Sequence, residues 1–530
     1  MVDFVLSGQR ESALIRMIEL WIIVCYDGSC CKKMAVYTAG YKKDMVMAFI
    51  SWSFYVFLAV LVIIYYILPK HLRWYVLLTG SILFYAKMAD KNWGILILFL
   101  GTAIFSFLFA ILIRMLAGCK REARILFGMA VVIVILPLLL NKEANFILVN
   151  WMKAEQMEMI VPLGIAFYTL QTISYLADIY RGRIDPQRNF LKYLLFISFF
   201  PQIVQGPIPR YAELSEQLYE GHDFDETDFT KSYMLILWGF FLKLVIADKA
   251  GVVVDTLFRD PQAYLGAYVW LGGFLYSIQL YTDFLACVTL AQGAAGLFGV
   301  RLTDNFNHPY FAASVREFWR RWHLSLSFWL RDYIYIPLGG NRRGKMRKYL
   351  NILISFAISG IWHGGGYKYL IWGLMHALYQ IFGELLMPAK QILDRILRLK
   401  NGSRVRRTLQ TISTFFFIMI AWIVFRAESL RTAVTMIKSM FTVYNPWILV
   451  NDSVFRLGLN WREYTLLMCA IVCLAVVSAL QEKGVMIRDR ILQYSIFVRW
   501  AIYIGVMIFI MIFGTYGYGF DPQAFIYGGF

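Results

Sequence analysis

Successive apolar runs of roughly 18 to 25 residues, separated by short charged loops, leave this 530-residue chain no length for a large soluble domain. Backbone N–H and C=O groups find no water in the bilayer core, so such runs cross it as helices that satisfy those groups internally. Composition agrees, with 59% hydrophobic and 16% charged residues and a mean hydropathy of +0.58, far from the soluble average. The chain reads as an all-α, multi-pass membrane protein with about 11–13 transmembrane helices.

The runs are Phe54–Leu68, Trp74–Ala89, Trp93–Leu116, Ile125–Leu140, Ile160–Tyr180, Phe190–Gln205, Tyr233–Asp248 and Trp270–Phe298. After a polar interruption they resume at Tyr349–His363, Tyr367–Leu386, Leu409–Phe425, Tyr464–Leu480 and Phe497–Phe513. Trp52, Trp74, Trp93 and Trp151 stand at run ends, where an amphipathic ring suits the headgroup level. The middle runs carry Gln171, Asp178, Lys243, Gln279 and Asp283, which should face a bundle interior or a wet cavity, not lipid.

The formal charge of +18 does not indicate nucleic acid. Its Lys and Arg residues lie between the apolar runs, at 342–348 and again at 390–407, and short basic loops of this kind mark the cytoplasmic side. The seven cysteines form neither a disulfide framework nor paired C-x-x-C zinc motifs. Residues 1–46 differ from the rest: Ile15–Tyr26 is broken by Arg16 and Glu19, too short to span, and lacks a cleavage pattern. We expect an N-terminal extension there, disordered or preceding the true start, and a single membrane domain over 47–530.

The polar interruption, Asn305–Gly366, concentrates Arg, Trp, Asp, Asn and His in an apolar chain. Ionisable groups near membrane depth are costly to desolvate and are kept for chemistry or transport. Lys348 and Lys390 belong on one basic side, so the chain between them should be a helical hairpin turning at Trp362-His363-Gly364-Gly365-Gly366. From Lys348 to His363 is roughly 22 Å of helix, short of the ~30 Å hydrocarbon thickness, which puts His363 inside the membrane profile. Arg316–Gly340 alternates cations with large aromatics and suits a re-entrant or interfacial element that carries His323 toward the hairpin from the cytoplasmic side.

Two histidines at one buried cavity suit general acid–base chemistry, since imidazole takes and returns a proton near neutral pH. Acyl transfer needs a base for the acceptor hydroxyl and donors for the oxyanion, which Asn, Trp N–H or Arg can supply. Blander readings apply elsewhere. His376 and His71 read as packing residues, His222 as a solvated loop residue and His308 as a turn residue before Pro309. Gly339–Lys345 resembles a phosphate loop, but Met346 stands where Ser or Thr would bind metal. Phe318, Trp319 and Trp322 suit packing or lipid anchoring as well as an acyl-chain contact, and Gly360 with Gly364 is a helix-packing pair.

The strings NFNHPYFAASVREFWRRWHLSLSFWLRDYIYIPLGGNR and GIWHG, with VPLGIAFYTLQTISYLADIYRG, FPQIVQGPIPR and FGVRLTDNF, resemble the membrane-bound O-acyltransferase (MBOAT) family. They are most similar to the branch that contains the alginate O-acetyltransferase membrane subunit. One departure stands out: Tyr281, Asp283 and Phe284 match that branch, but Leu285, Ala286, Cys287, Val288 and Thr289 follow where it has polar residues. The resemblance implies a bundle of about eleven helices around a central tunnel, a near-invariant catalytic histidine at His363, and His323 lining the same tunnel. Asn305, Gln205, Asp283, Trp319, Trp322, Arg331, Asp332 and Trp362 become candidate supporting or substrate-binding residues, with no metal.

The resulting expectation is acyl transfer, most simply acetyl, from a cytoplasmic acyl-CoA or acyl-carrier-protein thioester toward hydroxyls of an exported cell-envelope polysaccharide. Transfer would be direct or through an extracytoplasmic acetyltransferase or polysaccharide-export partner, in a bacterial inner membrane. D-alanyl transfer to teichoic acid shares the N-F-N, R-W-H and W-H-G features and is the alternative chemistry. A transporter would show coupled ion sites and commonly inverted repeats, neither of which is found; a non-catalytic scaffold would tolerate loss of both histidines.

Overall fold

Many of the helices begin where the sequence supplies a side-chain oxygen for N–H groups that lack an intrahelical partner. Ser51, Asn92, Asn189, Asp225, Ser403 and Ser429 each accept from a first-turn amide. Asn460 and Glu463 form a reciprocal capping box. The computed structural model describes residues 49–89, 92–150, 164–400 and 402–516. The expected extension over 1–46 lies outside them.

Four helices come first: α1 (Trp52–Ile67), α2 (Lys70–Met88), α3 (Trp93–Met115) and α4 (Lys120–Asn150). Next are α5 (Ile165–Tyr180), α6 (Phe190–Ser198), α7 (Tyr211–Glu220) and α8 (Glu226–Phe240), the last running through a π-helical segment, Phe241–Ala247, into α9 (Asp248–Arg259). The central helix is α10 (Ala267–Gly296). Short helices α11 (Val315–Trp319) and α12 (Leu324–Leu330) precede the hairpin of α13 (Gly344–His363) and α14 (Tyr367–Leu385). The chain closes with α15 (Met387–Ile396), α16 (Arg404–Arg426), α17 (Leu430–Thr442), α18 (Trp461–Glu482), α19 (Ile487–Leu492) and α20 (Ile496–Phe513).

Six of these, α3, α4, α10, α16, α18 and α20, are long and apolar enough to cross a membrane by themselves. The pair α14 and α15, bent by 59°, would make a seventh. The remaining apolar runs are shorter or more polar: α1 has 16 residues and keeps an exposed apolar face through Val56, Val60, Ile63 and Ile67, whereas the middle runs pack against protein. Residues 165–179 of α5 are all buried, and its Gln171 and Asp178 hydrogen-bond to the Phe196 carbonyl and the Tyr333 hydroxyl. Polar residues of the middle runs therefore face inward, as expected.

Phe190–Gln205 is not a span. Phe199 (φ −49°, ψ 109°) leaves the helical conformation between α6 and a one-turn helix at Phe200–Ile203. A Gln187 to Tyr211 hydrogen bond of 3.0 Å joins the two ends of this excursion, so the segment enters and returns on one side. Ion pairs gather on that basic side: Arg114 with Asp185, Arg210 with Asp332, Arg321 with Glu482, and Arg316 and Lys348 with Glu384. Arg426 with Asp255 marks the opposite end.

Candidate active site

A short clamp builds the first half of the site. Phe306 and Trp322 pair as an isolated antiparallel bridge, and the Asn307 N–H donates to the Arg321 carbonyl at 2.9 Å. The Leu324 N–H donates to the Asn305 carbonyl and the Ser325 N–H to Asn305 Oδ1, both at 3.0 Å. Asn305 thus caps α12 from a distant position. Between the clamped residues His323 sits at φ +46°, in the left-handed region that non-glycine residues seldom occupy. Backbone held there against preference needs surrounding contacts to enforce it and is concentrated at functional positions. The re-entrant segment adds one more tie, from the Ile208 N–H to Ser325 Oγ at 3.0 Å.

His323 is fully buried, and neither ring nitrogen has a partner among the described residues. Buried polar atoms are otherwise almost always paired with protein or water. Its ring meets Phe284 at 4.8 Å and Trp362 at 6.0 Å.

The hairpin supplies the second half. A β-carbon on Gly360 would lie 2.3 Å from the Tyr369 carbonyl oxygen, and one on Gly373 would lie 2.2 Å from that of Phe356. Only glycine lets α13 and α14 approach this closely. The packing reading of Gly360 holds, though its partner is Gly373 across the hairpin. His363 ends α13, is 2% exposed, and packs edge-on to Trp362 (4.8 Å), Trp372 (5.0 Å) and Phe425 (5.6 Å). Both histidines contact the Trp362 indole, whose N–H donates to the Ala166 carbonyl at 3.1 Å.

The other expected residues divide. Trp319 lies against Trp372 at 5.9 Å and His376 at 5.0 Å, while Trp322 packs among Tyr281, Phe318 and Trp422 as core. Gln205 is buried, three residues before the Ile208 tie, with Oε1 unpartnered among the described residues. Arg331 and Asp332 are not drawn to the histidines through any hydrogen bond among the described residues. Asp332 pairs with Arg331 and Arg210, and Arg210 reaches the Tyr333 hydroxyl, so they brace the loop on the basic side.

Asp283 ion-pairs at 2.8 Å with Lys243, which holds Asp248 at 2.8 Å, within the bundle. The departing residues after Phe284 are packing: Ala286, Cys287, Val288 and Thr289 are buried. His222 is not freely solvated, since its ring folds back to the Gln217 carbonyl at 2.7 Å.

Two further groups lie at the site. His376, read from sequence as a packing residue, is fully buried with neither ring nitrogen partnered among the described residues, against Trp319 and Trp372. Its position four residues after Trp372, on one helical face, was the available signal. Lys142 is the other: its ammonium donates to the Trp362 carbonyl. Replacing His376 with Phe keeps the ring contacts and breaks no hydrogen bond among the described residues, so thermal melting should stay within about 1 kcal/mol of wild type. Asn305→Ala removes the bond to Ser325 and should cost about 1 kcal/mol, measurable by melting, with a larger loss of acyl transfer because the His323 turn is freed.

A sequence profile of the membrane-bound O-acyltransferase family matches residues 184–427. A probable alginate O-acetylase, AlgI, of Azotobacter vinelandii is 33% identical over 433 residues, covering 80% of this chain and 82% of the relative. The chain belongs to the membrane-bound O-acyltransferase family. It is therefore an O-acyltransferase and a multi-pass membrane protein, and the two histidines fall in the MBOAT segment. A peptidoglycan O-acetyltransferase of Helicobacter pylori is 31% identical over 396 residues, covering 69% of this chain and 73% of the relative. A teichoic acid D-alanyltransferase of Bacillus subtilis is 27% identical over 331 residues, covering 58% and 80%.

Proposed function

We propose that this MBOAT protein moves an acetyl group from a thioester donor, acyl-CoA or an acyl-carrier protein, toward hydroxyls of an exported cell-envelope polysaccharide. The donor arrives on the basic side, which we assign to the cytoplasm of a bacterial inner membrane. One observation carries the reading: two buried histidines from separate elements share the Trp362 indole, one on a turn braced from the basic side and one at the hairpin tip. His363 takes the proton of the acceptor hydroxyl as the C–O bond forms to the thioester carbonyl. The C–S bond then breaks, and the proton passes to the departing sulfur, which restores the imidazole.

Acetyl transfer is favoured over D-alanyl transfer because the relatives named for O-acetylation are more similar, at 33% and 31% against 27%, and align over more of this chain. The product acceptor is the polymer itself or an extracytoplasmic acetyltransferase that hands the group on. The test is alkali-labile ester on envelope and exported polysaccharides, released and identified by mass spectrometry from cells with and without the protein. Acetate appearing only with the protein supports the reading and its polymer fraction names the acceptor. D-alanine in its place selects the alternative, and no protein-dependent ester overturns the polysaccharide assignment.

A further inference from the structure

The last carbonyls of an α-helix have no intrahelical donor, and a left-handed residue after the helix commonly turns N–H groups back onto them. The end of α13 lacks that device, since Gly364 is extended at φ 176°. A cation from another helix takes its place: Lys142, near the end of the apolar part of α4, donates to the Trp362 carbonyl. The same ammonium lies 5.5 Å from the centroid of the Trp362 indole. It faces the negative end of the α13 dipole, where a cation is favoured.

Two further contacts join this corner. A β-carbon on Gly365 would sit 2.1 Å from the Lys142 carbonyl oxygen, and the Gly366 N–H lies 3.4 Å from Glu143 Oε2. A lysine that merely snorkels to the headgroups keeps its ammonium in water; this one is spent on the backbone and ring of the residue before His363.

We propose that Lys142 is a positioning residue for acyl transfer. By holding both the carbonyl and the indole of Trp362, it sets the angle at which His363 meets the reacting groups. It also fixes the ring against which His323 packs. The proposal rests on the reading of His363 as the base.

The test uses the full-length protein in cells, with ester formed per unit of membrane-inserted protein and thermal melting of the purified protein as readouts. Lys142→Met keeps the apolar stem and removes the ammonium; Lys142→Arg keeps a cation. Lys142→Met leaves the Trp362 carbonyl without its donor and should lower the melting temperature slightly, while ester formation per unit of folded, membrane-inserted protein should fall at least tenfold and return most of the way in Lys142→Arg. Gly365→Ala, which pushes the turn off α4, should fall as Lys142→Met does. Wild-type ester formation in Lys142→Met, or equal losses in the Met and Arg variants, would overturn the proposal while His363→Ala remained inactive. Activity persisting in His363→Ala would instead remove the base on which it rests.

Discussion

His363→Ala should lower acyl transfer by about 10²–10⁴, the contribution typical of a positioned general acid–base, while membrane insertion is retained. The side chain ends a helix whose other contacts, Gly360 against Tyr369 and Gly373 against Phe356, do not involve the imidazole. Its loss removes ring contacts with Trp372 and Phe425 but not the hairpin. The measurement is ester per unit of membrane-inserted protein, beside His323→Ala in the same cells. A role for His323 in orienting the donor or loop predicts a smaller loss there. Wild-type ester in His363→Ala would refute the assignment, and equal losses in both variants would give the two imidazoles a joint proton-transfer role.

Much of this site was legible because its residues are expensive where they stand. An imidazole about 22 Å along a helix from a basic loop has to be inside the bilayer profile, and glycines around it announce close backbone approach. The hairpin followed from charge placement alone, and the segment Arg316–Gly340, too charged for an ordinary span, forms the short helices α11 and α12 and a π-helical turn. What sequence could not supply was contact between remote segments. Lys142 is some 220 residues from Trp362, and nothing local distinguishes it from a lysine at a membrane surface.

Arg331 and Asp332 show the opposite case. Charges near His323 in sequence suggested a role beside it, yet in the π-helical turn Arg331–Tyr335 the Asp332 carboxylate is shared between Arg331 and Arg210. The break at Phe199 was hidden for a similar reason, because apolar content alone does not tell a span from a re-entrant helix.

Asp283 illustrates how a charge expected at the site is held by the fold instead, and removing its partner should be the most damaging change for stability. The π-helical turn bonds the Asp248 N–H to the Lys243 carbonyl, one residue wider than an α-helix, and brings residues five apart over one another. The Lys243 ammonium then reaches Asp248 and Asp283 at 2.8 Å each, with all three side chains at most 7% exposed. Lys243→Met leaves two buried carboxylates without their cation and should cost about 3–5 kcal/mol, enough to lose a monodisperse protein in detergent. Adding Asp248→Asn and Asp283→Asn removes the stranded charges, so the triple variant should melt well above the single one. If Lys243→Met melts as wild type does, the triad is not a stabilising centre. If the triple variant is stable yet inactive, the triad acts on chemistry through Phe284, which follows Asp283 and packs on His323 at 4.8 Å.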